Sequence, residues 1–343
     1  MTRKQIKERA NHLSHGLHST KPGDIHALPE ILSALADGAI AEEAKISVKV
    51  YGYVLNQGED DFEANANATG KVIVKGFTKT GETLPVQEIP VTLGSDGTAM
   101  VEVTANVGDT IGVMAKITNS GATCQMVQKV TGDVVIPIES YPVGLWEIGD
   151  GSINAAAGED MYNGLVVVSA DFALALTPHQ RSGWKSEYVQ WGGMFQNIPF
   201  VMKTASDTEA ITDFDGALNT AAILSVVDDA KCAAKVATDM GDISHSRINP
   251  FLPSAGMLKY LYDHLTEINT FIAAETTAYE PDTDYDLLPT TNAWWSSTDR
   301  DPAESDDLAA GAWGVGFSYG NVSYTYRSNY RYVLSVSAFQ FVY

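Results

Sequence analysis

The spacing of apolar positions divides the chain into three sections, and the first, residues 1–44, has a helical period. Apolar residues recur every three or four positions from Ile6 to Leu17 and again from Leu28 to Ala36. The stretch Lys21-Pro-Gly-Asp24 separates the two runs. The sequence therefore predicts a helical N-terminal segment, which either caps the next section or serves assembly into a larger particle.

The second section, residues 45–140, has the period of β-strands. Its apolar and polar residues alternate in short segments that Gly, Asp, Asn and Ser separate, at 46–54, 71–77, 91–93, 98–104, 110–117 and 134–138. Six or seven strands over about 95 residues predict an antiparallel β-sandwich of immunoglobulin-like type. No nucleophile, base and orienting group come together here, so we expect a spacer or adaptor.

The third section, residues 141–343, mixes both periods. Residues 165–168 predict a buried strand, and residues 216–220 lead into a helical stretch that 228–237 extends. Ser254 is a suitable N-cap for a helix. That helix has an apolar stripe of Leu258, Leu261, Tyr262, Leu265, Ile268 and Ile272.

The end of this section predicts a display surface. Trp313, Val315 and Phe317 alternate with glycines and a serine, which predicts a strand with one buried face, and Tyr319-Gly320 predicts a turn into a second strand whose Val322 also points inward. The other positions are rich in Tyr, Ser, Asn, Thr and Gly, as in antibody binding loops. The predicted ligand-binding surface consists of Thr298, Asp299, Arg300, Gly314, Gly316, Ser318, Tyr319, Asn321, Ser323, Tyr324, Thr325, Tyr326, Ser328, Asn329, Tyr330 and Arg331.

Three motifs of this section resemble the variable proteins of diversity-generating retroelements. They are Gly216-x-x-Asn-Thr220, Leu252-Pro-Ser-Ala-Gly256 with Met257 in place of the family's Glu, and Trp294-Trp-Ser-Ser-Thr298 with the strand pair after it. The resemblance implies a C-type-lectin-like fold for 141–343. It also implies a variable region at about 294–336, whose displayed codons are rewritten by adenine-directed mutagenesis.

The composition of the variable region is consistent with that process, which does not install Trp, Met, Lys, Glu or Gln. None of these five residue types occurs from Gly314 to Tyr332. The usual family ending Arg-Val-Arg-Pro-Val reads here Tyr332-Val-Leu-Ser-Val336. The predicted fold class is therefore α+β, with a C-terminal C-type-lectin-like domain preceded by an immunoglobulin-like β-sandwich and an N-terminal helical segment.

Charge and cysteine content narrow the classes of partner. The chain has 43 acidic and 22 basic residues and a formal net charge of −21, which argues against nucleic acid as a partner. Its two cysteines, Cys124 and Cys232, are predicted to be buried free thiols. No apolar run approaches the roughly 20 residues of a membrane span, and the basic N-terminus lacks the hydrophobic region of a signal peptide. We therefore expect assembly in a cytoplasm and no membrane insertion.

Other candidate chemistry is sparse. Acidic pairs at Asp213 and Asp215, at 282–286 and at 299–307 offer oxygen ligands for Ca²⁺, but none has EF-hand spacing, and solvated acidic loops are the simpler interpretation. His12, His15 and His18 share a helix face, where a metal or pH-sensing role is the alternative to a solvated face. We expect Trp146, Trp184, Trp191, Trp294 and Trp295 to pack inside rather than form a sugar platform. No catalytic residue, metal or cofactor is predicted.

The sequence thus predicts a receptor-binding adhesin at a phage tail tip. Its partners would be a host-cell surface protein or glycan and, through the N-terminal segment, other virion tail proteins; a homotrimer is expected because linked sites gain avidity. One alternative is a bacterial cell-surface adhesin diversified by a retroelement. Another is an enzyme of the formylglycine-generating type, which shares a related fold but needs paired catalytic cysteines that this chain lacks.

Overall fold

The protein has a β-rich α+β fold. A computed structural model describes residues 42–56, 61–148, 153–154, 164–176, 188–193, 196–198, 200–240, 247–279, 287–300 and 311–340. The described residues form five sheets and five helices. The helices predicted within 1–44 lie outside the described residues, except that residues 43 and 44 already belong to the first strand.

Residues 43–140 form two four-stranded sheets that pack face to face. Their strands are β1 (Glu43–Leu55), β2 (Phe62–Ala64), β3 (Thr69–Phe77), β4 (Gln87–Thr92), β5 (Thr98–Asn106), β6 (Thr110–Ile117), β7 (Met126–Lys129) and β8 (Val134–Ser140). In the first sheet β1 pairs with β2, β5 and β8, and the second sheet has the order β4-β3-β6-β7. The prediction of a purely antiparallel sandwich was wrong in one respect, since β8 runs parallel to β1.

The alternation read from the sequence places the sandwich core. Ile46, Val48 and Val50 of β1 are fully buried and share one core with Val72 of β3 and Val113 of β6. Their sequence neighbours point away from that core because successive side chains of a strand point to opposite faces. The two sheets are therefore joined by one apolar layer.

Residues after 140 build a six-stranded antiparallel sheet, two smaller sheets and all the described helices. The six strands are β9 (Gly144–Ile148), β10 (Ile153–Asn154), β11 (Leu165–Val168), β12 (Ala173–Leu176), β15 (Arg247–Phe251) and β20 (Val336–Phe339), in the order β10-β9-β11-β12-β20-β15. The remaining elements are β13 (Val189–Gln190), β14 (Lys203–Thr204), β16 (Ala293–Arg300), β17 (Gly311–Gly316), β18 (Asn321–Tyr326), β19 (Tyr330–Arg331), α1 (Asp207–Ala210), α2 (Gly216–Val226), α3 (Ala233–Met240), α4 (Ala255–Asp263) and α5 (Leu265–Tyr279).

Both faces of the six-stranded sheet are covered. Val166 and Val168 belong to the sandwich core, whereas Leu165 and Val167 belong to a second core with α4 and α5. This two-sided burial explains why β11 is apolar at every position. The sandwich therefore packs directly on the six-stranded sheet.

Two predicted helices are interrupted. The stripe from Leu258 to Ile272 lies in one core as expected, but His264 ends α4 with a backbone hydrogen bond to Tyr260 before α5 begins. The extension through 228–237 also breaks, because a turn closed by Asp229 precedes α3. Asp229 accepts hydrogen bonds from the backbone amides of two following residues, which ends the helical continuity.

The cysteine prediction is confirmed. Cys124 and Cys232 are both buried free thiols, and burial raises the pKa of each thiol. Such thiols are poor nucleophiles because the thiolate is the reactive form. Among the described helices, none is at once long and apolar enough to cross a membrane.

Candidate functional site

The three sequence motifs of the third section meet in one hydrogen-bonded cluster. Asn219 of α2 donates to Ser297 Oγ of β16 at 3.4 Å, and the backbone amide of Ser297 donates to the Pro253 carbonyl at 2.9 Å. The Thr220 hydroxyl accepts from the Leu252 amide at 3.0 Å. These hydrogen bonds connect the three motifs to one another, so the motif residues stabilise the scaffold.

Asp213 is the buried centre of this cluster. Its carboxylate accepts hydrogen bonds from Thr298 Oγ1 at 2.6 Å, Asn219 Nδ2 at 2.8 Å and the Asp215 amide at 3.0 Å. Burial, together with the nearby negative charge of Asp215, raises the pKa of the Asp213 carboxyl to about 6. Thr298 also accepts from the Ala255 amide at 2.9 Å, so its predicted place on the ligand-binding surface was wrong.

Ser254 joins the same cluster in an unexpected way. It occupies the residue before α4 in an extended conformation, as predicted for an N-cap, but its hydroxyl makes no capping hydrogen bond. The hydroxyl instead donates to the Asp213 carbonyl at 2.6 Å. The helix start was therefore predicted correctly, but its stabilising contact was not.

A buried ion pair lies beside this cluster. Nη2 of Arg327 lies 2.5 Å from both carboxylate oxygens of Asp299, and the two side chains are 3% and 1% exposed. Nη1 of Arg327 donates to the carbonyls of Gly193 and Gln196 at 2.7 and 3.0 Å, and the guanidinium lies 4.5 Å from the Trp191 ring centroid. The predicted exposure of Asp299 was wrong, because Arg327 encloses the carboxylate.

Three further residues predicted at the surface are buried. Arg300 is 7% exposed, and its guanidinium lies 3.6 Å from the centroid of the Tyr324 ring. Gly314 and Gly316 are buried because β17 lies between β16 and β18 and its second face is covered. An added Cβ at Gly314 would collide with the Arg331 guanidinium, so that glycine provides space for an arginine.

The inward-pointing residues were predicted correctly. Trp313, Val315 and Phe317 are buried, and the half-buried Val322 packs against the same cores. Nε1 of Trp313 donates to the Thr204 carbonyl at 3.0 Å, which links β17 to β14 across the intervening strand β16. These inward-pointing residues therefore anchor β17 and β18 to the core.

The remaining predicted residues lie at or near the surface around β18, the last strand of its sheet in the described part of the chain. Those exposed are Ser318, Tyr319, Asn321, Tyr324, Tyr326, Asn329 and Tyr330, and those half-buried are Ser323, Thr325, Ser328 and Arg331. Tyr319 occupies the turn between β17 and β18 and is 86% exposed. Gly320 allows that turn with a φ of +67°, directly above the Tyr262 ring.

Tyr188 belongs to the same surface although the sequence did not place it there. It is 60% exposed, and its ring stacks on Tyr330 with centroids 5.6 Å apart. It lies beside β13, which pairs with β19. Its only sequence signal was the alternation of Tyr188 and Gln190 with the buried Val189 and Trp191. We call Tyr188, Tyr319, Tyr324, Tyr326 and Tyr330 the tyrosine surface.

Buried partners hold parts of the tyrosine surface in place. The Tyr324 ring meets Trp313 edge-on with centroids 5.4 Å apart and is covered by Arg300. Arg331 donates to the carbonyl and hydroxyl oxygens of Ser323 at 3.1 and 3.0 Å, and its guanidinium lies 5.1 Å from the Trp295 ring centroid. These contacts fix the Tyr324 ring and the neighbouring Ser323 against buried side chains.

The described residues give no support for the calcium interpretation. No group of three His, Cys, Asp or Glu side chains in the described ranges is placed to hold a metal ion. Asp215 pairs instead with Lys75 at 2.6 Å and with Gln125 at 2.9 Å. The acidic residues at 282–286 and 301–307, Trp184 and the three spaced histidines lie outside the described residues.

Comparisons with known proteins place this chain in no family. A scan against protein-family models found no match, and a search of curated proteins found none either. Among solved structures, the chain is similar to a mutant form of the shaft pilin SpaA from Lactobacillus rhamnosus GG, with 11% sequence identity and a TM-score of 0.19. The match covers 31% of this chain and 53% of the pilin chain, so this chain spans about half of the pilin's length.

The raised pKa of Asp213 predicts a pH dependence of stability. The folded carboxyl binds a proton below about pH 6, whereas its ordinary pKa is 3.8. Between these pH values the folded state therefore binds more protons than the unfolded state, so protonation of Asp213 stabilises the fold. This stabilisation is complete below pH 3.8 and is lost as pH rises through 6. For Asp213→Asn, we expect the stability advantage of the wild type to shrink by up to about 3 kcal/mol from pH 4 to pH 7.

Urea denaturation at several pH values measures this advantage. Asp239→Asn is the matched control, because it makes the same change at an exposed aspartate outside the buried cluster. An advantage that grows with pH would mean that the Asp213 carboxylate is stabilised in its charged form.

Proposed function

We propose that this chain is a non-enzymatic, receptor-binding adhesin whose section 141–343 has a C-type-lectin-like fold and displays a diversified surface. The observation that carries the proposal is the separation of two residue sets. The motif residues lie in a buried hydrogen-bonded cluster, and the tyrosines that follow them in the chain are exposed around β18. A scaffold that does not use its surface residues tolerates their replacement.

The chemistry of the exposed residues suits protein or glycan recognition. Tyrosine offers a large rigid contact area at low entropic cost, and Ser, Asn and Thr add adaptable hydrogen bonds. The five rings of the tyrosine surface are between 43% and 86% exposed. Large exposed aromatic groups in such number are typical of an interaction site.

The enzymatic alternative has less support. An enzyme of the formylglycine-generating type needs paired catalytic cysteines, and both cysteines of this chain are buried free thiols. Asp213 has a raised pKa, but it is fully engaged with scaffold donors. We therefore assign no catalytic residue.

The proposed setting is a phage tail tip, with a host-cell surface protein or glycan as the ligand. In this proposal the chain forms a homotrimer and its N-terminal segment contacts other virion tail proteins. A bacterial cell-surface adhesin remains the second candidate. A neighbouring reverse transcriptase with a template repeat among tail genes supports the phage setting, and the same pair outside phage genes supports the second candidate.

The binding surface is tested by replacing Tyr319, Tyr326 and Tyr330 together with serine. We expect binding to be lost with a shift in melting temperature of only a few degrees, since surface changes cost within about 0.5 kcal/mol each. Fluorescently labelled protein on a panel of bacterial strains measures binding, scored on the strains that the wild type labels. Retained labelling of those strains would place the site elsewhere.

Trp313→Ala is the matched control for this test. Removing the buried ring should cost about 3–5 kcal/mol of stability, and the loss of its hydrogen bond to Thr204 adds to that cost. If the tyrosine variant unfolds and Trp313→Ala stays stable, the buried and exposed faces of β17 and β18 are assigned the wrong way round.

The trimer is tested separately by light scattering of the full chain. We expect three copies per particle at micromolar concentration. A monomer there would remove the trimer from the proposal without affecting the tyrosine surface.

A further inference from the structure

A groove between the sandwich and α2 has a positive charge, which is unusual in this acidic chain. Its volume is about 470 Å³, within the roughly 300–1,000 Å³ range of small-molecule sites. The sandwich contributes Lys79, Thr110 and Lys129, and the following section contributes Asn197 and Ser225. Among the described residues that line the groove there is no Asp or Glu, although the chain has 43 acidic residues against 22 basic ones.

Strand register fixes the position of one lysine. Phe77, Thr110 and Lys129 lie directly opposite one another on β3, β6 and β7, so their side chains share one face of the sheet. Phe77 is buried in a core with Trp191 of the third section. Thr110 and Lys129 therefore face the third section, across the groove from Ser225 at the end of α2.

The second lysine is positioned by a turn. Lys79 lies in the loop after β3, where Thr78 Oγ1 accepts hydrogen bonds from the amides of Thr80 and Glu82 at 3.3 and 3.0 Å. The methylene carbons of Lys79 pack against Gly108, where an added Cβ would lie 3.3 Å from Cδ. Gly108 has a φ of +101°, a conformation that favours glycine. The local fold therefore supports the Lys79 side chain at the groove.

A second groove on the same sheet allows its lysines to be compared with those of the first groove. It measures about 390 Å³ and contains Lys71, Lys75 and Lys116. Each of these lysines has a carboxylate partner, which is Glu88, Asp215 and Asp171 respectively. Within the described residues, neither Lys79 nor Lys129 forms a salt bridge. The first groove thus has positive charge that the described part of the protein does not neutralise.

We propose that the first groove binds an anionic sugar, a mono- or disaccharide that carries a carboxylate or a phosphate. Lys79 and Lys129 would hold the anionic group, because an ammonium group forms strong charge-assisted hydrogen bonds to such oxygens. Thr110 offers a hydroxyl for sugar hydroxyls, and Val226 offers an apolar contact. Asn197 offers its Nδ2 donors, because its Oδ1 already accepts from Lys203. Ser225 offers an acceptor, because its hydroxyl already donates to the Ala222 carbonyl. This site is distinct from the tyrosine surface and does not depend on its function.

Isothermal titration calorimetry of the full chain tests the proposal with four probes. These are glucuronic acid, a hexose phosphate, neutral glucose and inorganic phosphate. We expect saturable binding of at least one acidic sugar, and the arm that binds identifies the carboxylate or the phosphate as the anionic group. Binding should weaken as salt is raised, because the lysines are exposed to screening.

The double variant Lys79→Gln and Lys129→Gln should lose at least tenfold in affinity for that sugar. Lys71→Gln is the matched control in the second groove and should bind as the wild type does. A melting curve of each variant shows whether it is folded; if the double variant is not, the single Lys129→Gln variant and the salt dependence of the wild type serve in its place. The proposal is overturned if neither acidic sugar binds, if glucose or inorganic phosphate binds as tightly, or if the folded lysine variants keep full affinity.

Discussion

Replacing Arg327 with methionine is expected to lower the free energy of unfolding by about 3–5 kcal/mol, as when one partner of a buried ion pair is removed. The Asp299 carboxylate would remain 1% exposed without its counterion. The carbonyls of Gly193 and Gln196 would also lose their donor. Urea denaturation at pH 7, with the midpoint and slope fitted together, measures the loss.

Two further variants separate the effect of breaking the ion pair from the effect of removing any arginine. Arg331→Met removes a half-buried guanidinium that hydrogen-bonds to Ser323 rather than to a carboxylate, and should cost about 1 kcal/mol. Adding Asp299→Leu to Arg327→Met should recover part of the stability, since the unpaired charge is then gone. An Arg327→Met variant as stable as the wild type would show that Asp299 is not enclosed as described.

A fragment of residues 141–343 is expected not to fold as a compact monomer. One face of the six-stranded sheet, with Val166, Val168 and Ala175, is covered only by the sandwich core in the described structure. Asp215 at the start of α2 would also lose its contacts with Lys75 and Gln125. Such an exposed apolar face favours aggregation or loss of fixed packing.

Near-UV circular dichroism and size-exclusion chromatography measure this outcome. We expect weak near-UV signal and a heterogeneous elution for the fragment alone. Co-expression with residues 42–140 should restore a single species, because the two parts bury the same apolar faces in the intact chain. A monomeric fragment that melts sharply near the full-length temperature would contradict the shared core.

Local periodicity explains what the sequence determined. Alternation in β1, β3 and β6 located strands and their buried faces, because the side-chain direction in a strand depends only on position along it. The same rule placed Trp313, Val315 and Phe317 inside. The exposed positions of β18 followed from composition instead, because Tyr324 lies directly opposite the buried Trp313 and alternation alone would place it inward.

Long-range contacts decided the rest of the candidate site. Thr298 and Asp299 have the polarity of surface residues, but they are buried because Asp213 and Arg327, distant in sequence, supply their partners. Tyr188 joined the surface because β13 pairs with a strand more than a hundred residues later. Composition gives no signal for such pairings.

The two glycines of β17 are positions where periodicity predicts one environment and the tertiary structure provides another. Gly314 and Gly316 alternate with large apolar residues, a pattern that predicts an exposed second face. In the folded chain the guanidinium of Arg331 and the side chain of Asn321 cover that face, and the missing side chains make room for them. Alternation in the sequence therefore determined which residues of β17 share a face. Packing in the folded chain decided that the second face is covered, because Asn321 reaches it from the paired strand β18 and Arg331 from the later strand β19.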